Sequence, residues 1–261
     1  MLIDINTYTG HWPFRQLQNN TCKTRLQLMK QFGVDVSVIS NLNGVFYKNT
    51  QSANEELYEE LKSDRYFNNR FIPLAVIDPI YAGWKDDLSV CVQKMGMKGI
   101  RLYPKYHRYD LANPSCVELV KRVRDMGLVV SLSLRMVDSR VSSWLDIDHE
   151  WQLKDILPII QEVPDAKYLI LNVVNSTQLS NDEAALLKKT DILIDTSGRA
   201  ITSLGELLNK YGKDKFAFGT HSPILDSFTG LLRIESLRNN EADGQTKELL
   251  RYGNAKKFFG I

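Results

Sequence analysis

Hydrophobic and polar positions along this chain follow two periods in turn, and the switching between them predicts the fold. Short apolar runs of strand composition recur at residues 2–6, 36–40, 71–76, 98–102, 129–134, 168–171, 192–195 and 216–218. Between them lie stretches with helical spacing. In 21–32, Leu26, Met29 and Phe32 recur every three residues and Gly33 is the stop. "SANEELYEEL" reads as a helix opened by a capping box, Ser52 capping and Glu55 reaching back. Residues 84–95, 153–163, 182–189 and 201–211 continue the series. "NPSCVELVKRVRDMG" carries Asn113 as cap, Pro114 at the first helical position and Gly127 as stop. Eight strand–helix units in about 250 residues predict a closed (β/α)8 TIM barrel, α/β in class, with 1–261 as one domain. An open doubly wound sheet is the alternative.

Bulk properties narrow the function classes. The 261 residues, 43% of them hydrophobic, suffice for a large core. A net charge of +2 gives no electrostatic argument for nucleic acid or a membrane surface as partner. No apolar run reaches bilayer length and no secretory leader is visible, so a cytoplasmic location is expected. Cys22, Cys91 and Cys116 are far apart with no CxxC spacing, which predicts buried thiols.

In such a barrel the chemistry sits at the C-terminal ends of the strands. Strand one offers Asn6 and Tyr8, which alternation places on one face, then His11 and Trp12 in "GHWPFR". Strand two ends with Asn41 and Asn43, and strand three with Asp78. Strand four supplies Arg101, Tyr103, Lys105 and His107, and strand five Ser133 and Arg135. Asn172 and Asn175 follow strand six; Asp195, Ser197 and Arg199 follow strand seven; His221 and Ser222 follow strand eight. Arg101, Lys105, Arg135 and Arg199 would bring several cations to one mouth, where guanidinium groups suit a carboxylate or phosphate. They could equally pair with Asp78, Asp195 or loop carboxylates. "WLDIDHEW" adds Asp146, Asp148, His149 and Glu150, read as a solvated lid rather than unorthodox metal ligands.

Several segments together resemble the amidohydrolase-related branch of the metal-dependent TIM-barrel hydrolases: "IDINTYTG", "KGIRLYP", "DTSG", "FGTHSP" and "NAKKFFGI", in that order over nearly the whole chain. The resemblance implies a barrel with a metal held by His-x-His on strand one, histidines ending strands five and six, and an aspartate on strand eight. The matching positions here are Asn6, Tyr8, Ser133, Asn172 and His221. None keeps the family's residue, and amides and hydroxyls are poor zinc ligands, so neither a metal nor any other cofactor is expected.

The leading expectation is therefore a diverged hydrolase acting on a small anionic, carboxylate-bearing ligand without a metal. His221 would be its catalytic acid or base. Asn6, Tyr8, His11, Trp12, Arg101, Tyr103, Arg135 and Asn172 would bind substrate. The alternatives are a catalytically inactive barrel that still binds a small anion and an interaction module whose mouth is filled by Tyr8, Trp12 and Phe14. Association into a homo-oligomer stays open.

Overall fold

The computed structural model describes residues 1–136, 151–173 and 175–261. Its strands are β1 (Ile3–Thr9), β2 (Val36–Asn41), β3 (Phe71–Pro73), β4 (Ala75–Val76), β5 (Gly99–Leu102), β6 (Val129–Ser133), β7 (Lys167–Leu171), β8 (Ile192–Asp195) and β9 (Phe216–Ala217). All ladders are parallel, in the orders β1-β2-β3 and β4-β5-β6-β7-β8-β9. Two seams join them. At the first, Leu74, between β3 and β4, donates its N–H to Ile39 O on β2. At the second, β1 meets the end of β9: Ile5 N–H bonds Phe218 O at 3.0 Å, His221 N–H bonds Asn6 O at 2.8 Å and Tyr8 N–H bonds Ser222 O at 3.0 Å. The architecture is the (β/α)8 barrel, with β3 and β4 together making the third stave. Pro73, which has no N–H to donate, falls at their interruption.

Helices α1 (Cys22–Phe32), α2 (Thr50–Lys62), α3 (Trp84–Gln93), α4 (Pro114–Asp125), α5 (Leu157–Glu162), α6 (Asn181–Lys189), α7 (Leu204–Tyr211) and α8 (Ser227–Glu235) lie between and after the strands. The chain ends in α9 (Gly244–Glu248) and α10 (Asn254–Phe259). Caps follow the local chemistry. Asn113 accepts from Ser115 N–H ahead of Pro114, and Gly33 closes α1 at φ 68°. The expected Ser52–Glu55 capping box does not form. Asn49 accepts from Gln51 N–H and starts α2 at Thr50, so Ser52 is already inside the first turn. None of the helices described is long and apolar enough to cross a membrane. Cys22, Cys91 and Cys116 are buried free thiols.

Alternation along the strands sorts the side chains into layers. Outward residues such as Ile100, Leu102, Val130, Leu132, Ile170 and Ile194 pack with the helices. Inward residues Ile3, Ile5, Val38, Leu74, Val129, Leu169, Leu193 and Ala217 fill the barrel's lower half, where Ala255 and Phe258 of α10 join them. Through Ala255 and Phe258 the segment "NAKKFFGI" packs the last helix against the barrel bottom. Above this layer the interior turns polar, and the site lies there.

Candidate functional site

β1 carries one extra residue against β2 between Asp4 and Thr7. This bulge resets the alternation, so Ile3 and Ile5 pack in the apolar layer while Asn6 and Tyr8 both reach the polar one. Directly after β7, and in the loop that follows β9, the backbone turns into the left-handed region, φ 56° at Asn172 and 59° at His221. Such conformations in non-glycine residues concentrate at functional sites.

His221, with no measurable exposure, is the hub. Its Nε2 lies 2.7 Å from the carbonyl of Met136, an atom that can only accept, so Nε2 carries the proton. Nδ1 is then the acceptor. It takes a hydrogen from Asn6 Nδ2 at 3.0 Å and faces Tyr8 OH at 3.3 Å. Burial, helped by the charge of Arg101, pushes the imidazole down to about 3, so the ring is neutral at physiological pH. Asp195, also buried, accepts from Asn6 Nδ2 at 2.6 Å, from Ser197 Oγ and from Asn172 N–H at 2.8 Å. Its carboxyl is raised by burial and lowered by those donors. Asn172 donates its other amide hydrogen-bearing group, Nδ2, to Arg135 O at 2.7 Å.

Arg101 lies inside the barrel, fully buried. One nitrogen reaches Thr7 O at 3.3 Å, and Nε and Nη2 have no partner. No carboxylate among the described residues pairs with it, and its guanidinium lies over the Tyr8 ring, 4.6 Å from the centroid. Around it, the hydroxyls of Tyr103, Ser131 and Ser133 and the amide oxygens of Asn6 and Asn172 are buried without partners. Arg101 and Ser131 share a ladder position, and Ser133 follows two residues on. Burial raises the Tyr103 phenol; Arg101 and Ser133, close by without a sound hydrogen bond to it, oppose that.

Aromatic residues roof this layer. Trp12 is 5% exposed, with Phe46 at 5.2 Å and Tyr106 at 6.4 Å between ring centroids. Phe14 sits at the edge, 38% exposed.

The structure thus brings together Asn6, Tyr8, Arg101, Tyr103, Asn172 and His221, places Arg135 buried beside them, and sets Trp12 in the roof. His11 is not with them. Its side chain is on the surface, and its N–H is held by Asn43 Oδ1 at 2.9 Å because the turn at Gly10, φ 86°, carries it outward. Lys105 and Arg199 are exposed, so of the four expected cations only Arg101 and Arg135 are interior. Asn41 and Asn43 hold Glu56 and the first loop instead of facing the mouth. Asp146, Asp148, His149 and Glu150 lie outside the described residues. Sequence reasoning missed Asp195 and Ser197 as site members, although "DTSG" marked them, and missed Ser131, which alternation back from Ser133 would have found.

A divalent metal is the group that barrels of the resembled kind imply, and the donors here do not fit one. Asn6 presents an N–H pair already bound to Asp195 and His221, and His221 presents Nε2–H to a carbonyl. Among the described residues no three His, Cys, Asp or Glu side chains cluster, and the unpaired cation Arg101 adds repulsion.

The sequence matches no family model and no curated protein. Solved structures are similar over the whole chain. A 2,6-dihydroxybenzoate decarboxylase complexed with 2,6-dihydroxybenzoate aligns with TM-score 0.73 at 15% identity, covering 100% of this chain and 99% of that one. A dihydroxybenzoic acid decarboxylase from Polaromonas sp., with bound manganese and the inhibitor 2-nitroresorcinol, aligns with TM-score 0.75 at 14% identity, covering 99% and 96%. A putative amidohydrolase from Staphylococcus aureus aligns with TM-score 0.72 at 15% identity, covering 100% and 99%. At these identities the likeness establishes the fold: this chain shares the barrel of those decarboxylases and amidohydrolases.

Proposed function

We propose that this chain is a metal-independent barrel whose mouth binds a small carboxylate, with Arg101 as its anchor. The observation that carries the reading is the Arg101 guanidinium, fully buried with Nε and Nη2 unpartnered and, among the described residues, no carboxylate paired with it. Leaving a buried charge uncompensated costs on the order of several kcal/mol, so an anion that pairs with it recovers a large free energy. Nε and one Nη form the fork that a carboxylate fits. The hydroxyls of Tyr103, Ser131 and Ser133 supply further donors. The carboxylate bound by the 2,6-dihydroxybenzoate decarboxylase supports the same ligand class.

Hydrolysis of an ester or amide bond in a carboxylate-bearing ligand is a second reading, with His221 as acid or base. One contact favours it: Tyr8 OH lies 3.3 Å from Nδ1 of His221, within hydrogen-bond reach. A neutral ring held well below its ordinary range suits orientation of Asn6 and Tyr8 better than proton shuttling.

Thermal shift against small carboxylates and inorganic phosphate tests the main reading. Carboxylates are expected to stabilise the protein, and Arg101→Met is expected to abolish the effect; no stabilisation by any anion, or full stabilisation in the variant, defeats it. Hydrolysis of ester or amide derivatives of those acids that His221→Asn abolishes, with anion binding kept, would support the second reading.

A further inference from the structure

The two amide oxygens beside His221 narrow the ligand further, on the footing that Arg101 anchors an anion. Oδ1 of Asn6 and Oδ1 of Asn172 are buried and unpartnered. Their orientation is fixed by their neighbours. Nδ2 of Asn6 faces an Asp195 carboxylate oxygen at 2.6 Å and spends its second hydrogen on unprotonated Nδ1 of His221 at 3.0 Å. Turning that amide over would set oxygen against oxygen. Nδ2 of Asn172 faces the Arg135 carbonyl at 2.7 Å, a contact that only an N–H can make, and this outweighs its longer 3.3 Å approach to Nε2–H of His221. Both side chains touch the same imidazole, Asn6 at Nδ1 and Asn172 at Nε2. Two buried acceptors therefore stand on either side of His221, and both call for a hydrogen-bond donor.

Charge decides which donor. Asp195, the carboxylate that Asn6 touches, is already occupied by Asn6, Ser197 and Asn172 N–H. Arg101 leaves the site with uncompensated positive charge. An ammonium group would meet that charge with no free carboxylate among the described residues to balance it, whereas a hydroxyl donates without adding charge. Tyr8 links the two ends: Arg101 lies on its ring, and its hydroxyl faces the imidazole that both amides touch.

We infer that the ligand is a small hydroxylated carboxylic acid, its carboxylate on Arg101 and its hydroxyl hydrogens donated to the side-chain oxygens of Asn6 and Asn172. A metal ion would bind a ligand oxygen as an electron-pair donor; the paired amides read the hydrogen of a neutral hydroxyl instead.

The test is calorimetric titration with two matched series, glycerate, lactate, propionate and serine in one, 2,6-dihydroxybenzoate and benzoate in the other. The wild-type protein, Arg101→Met, Asn6→Ala and Asn172→Gly, which keeps the left-handed backbone accessible, are compared. Hydroxylated acids are expected to bind at least about tenfold more tightly than their deoxy partners, because a site with buried acceptors rejects a ligand that lacks the donor. Serine is expected to bind more weakly than glycerate. Either amide substitution is expected to bring the ratio toward one while the deoxy acid still binds. Equal affinity for hydroxylated and deoxy acids, tighter binding of serine, or a ratio that survives both substitutions overturns the inference and leaves the anion site standing. Absence of binding by every acid, or binding that survives Arg101→Met, overturns both.

Discussion

The guanidinium of Arg101 lies over the ring of Tyr8, its carbon 4.6 Å from the centroid, and both side chains are without measurable exposure. A cation–π contact of this kind contributes about 0.5–2 kcal/mol. That is less than the desolvation of a guanidinium in a barrel interior, so the ring alone does not compensate the buried cation.

The buried cation has a signature in stability. Arg101→Met removes the unpaired charge and keeps most of the side-chain volume. The free variant is expected to be as stable as the wild type or more so, by up to about 1–4 kcal/mol, while losing anion-induced stabilisation. Urea denaturation with and without ligand measures both. A variant weaker by several kcal/mol without ligand would make Arg101 a structural residue.

His221 makes the fold acid-sensitive. Its folded value of about 3 lies below the 6.5 of an unperturbed histidine. The neutral ring therefore contributes stability that is complete above pH 6.5 and is lost progressively as pH falls toward 3, by about 1.4 kcal/mol per pH unit. The difference in unfolding free energy between wild type and His221→Asn at pH 7, 6 and 5 isolates this slope. Asparagine tolerates the positive φ there. Parallel pH profiles for the two proteins would refute the assignment.

Asp4 works in the opposite direction. Burial pushes its carboxyl up to about 6, against the donors Thr220 Oγ1, Asn6 N–H and Thr220 N–H. A carboxyl raised in the folded state contributes stability that is complete below its unfolded value near 4 and is lost as pH rises through about 6. The expected loss across that window is about 3 kcal/mol. Asp4→Asn should be flat over it, and the comparison at pH 4, 5 and 7 by chemical denaturation checks the sign.

Gly198 sits where no side chain fits. A Cβ there would stand 2.1 Å from Val173 O and 2.5 Å from Val173 N, backbone atoms next to Asn172. Gly198→Ala is expected to cost about 3 kcal/mol or more and to weaken anion binding by displacing Asn172. Thermal unfolding together with the carboxylate thermal shift reads both effects.

Metal content follows from the donor set. Protein purified without added metal is expected to hold substoichiometric zinc and manganese by elemental analysis. Chelator treatment should leave its unfolding temperature and anion binding unchanged. A full equivalent of either metal would overturn the metal-independent reading.

The sequence by itself determined the barrel, because alternating strand and helix periods with caps at Asn113 and stops at Gly33 and Gly127 are local signals. It also determined that Asn6, Tyr8, Ser133, Asn172 and His221 stand at strand ends, since strand position follows from chain order. Alternation alone carried Arg101 and Tyr103 inward together. It could not place Asn6 on the same side as Ile5, because the bulge in β1 arises only from pairing with β2. Nor could it separate Arg101, buried and unpaired, from Lys105 and Arg199 on the surface, or expel His11 from the mouth. Those outcomes depend on where loops pack. The protonated nitrogen of His221 and the direction of both amides were likewise decided only in three dimensions. Each is set by acceptors, Met136 O, Asp195 and Arg135 O, that distant parts of the chain bring within hydrogen-bond reach.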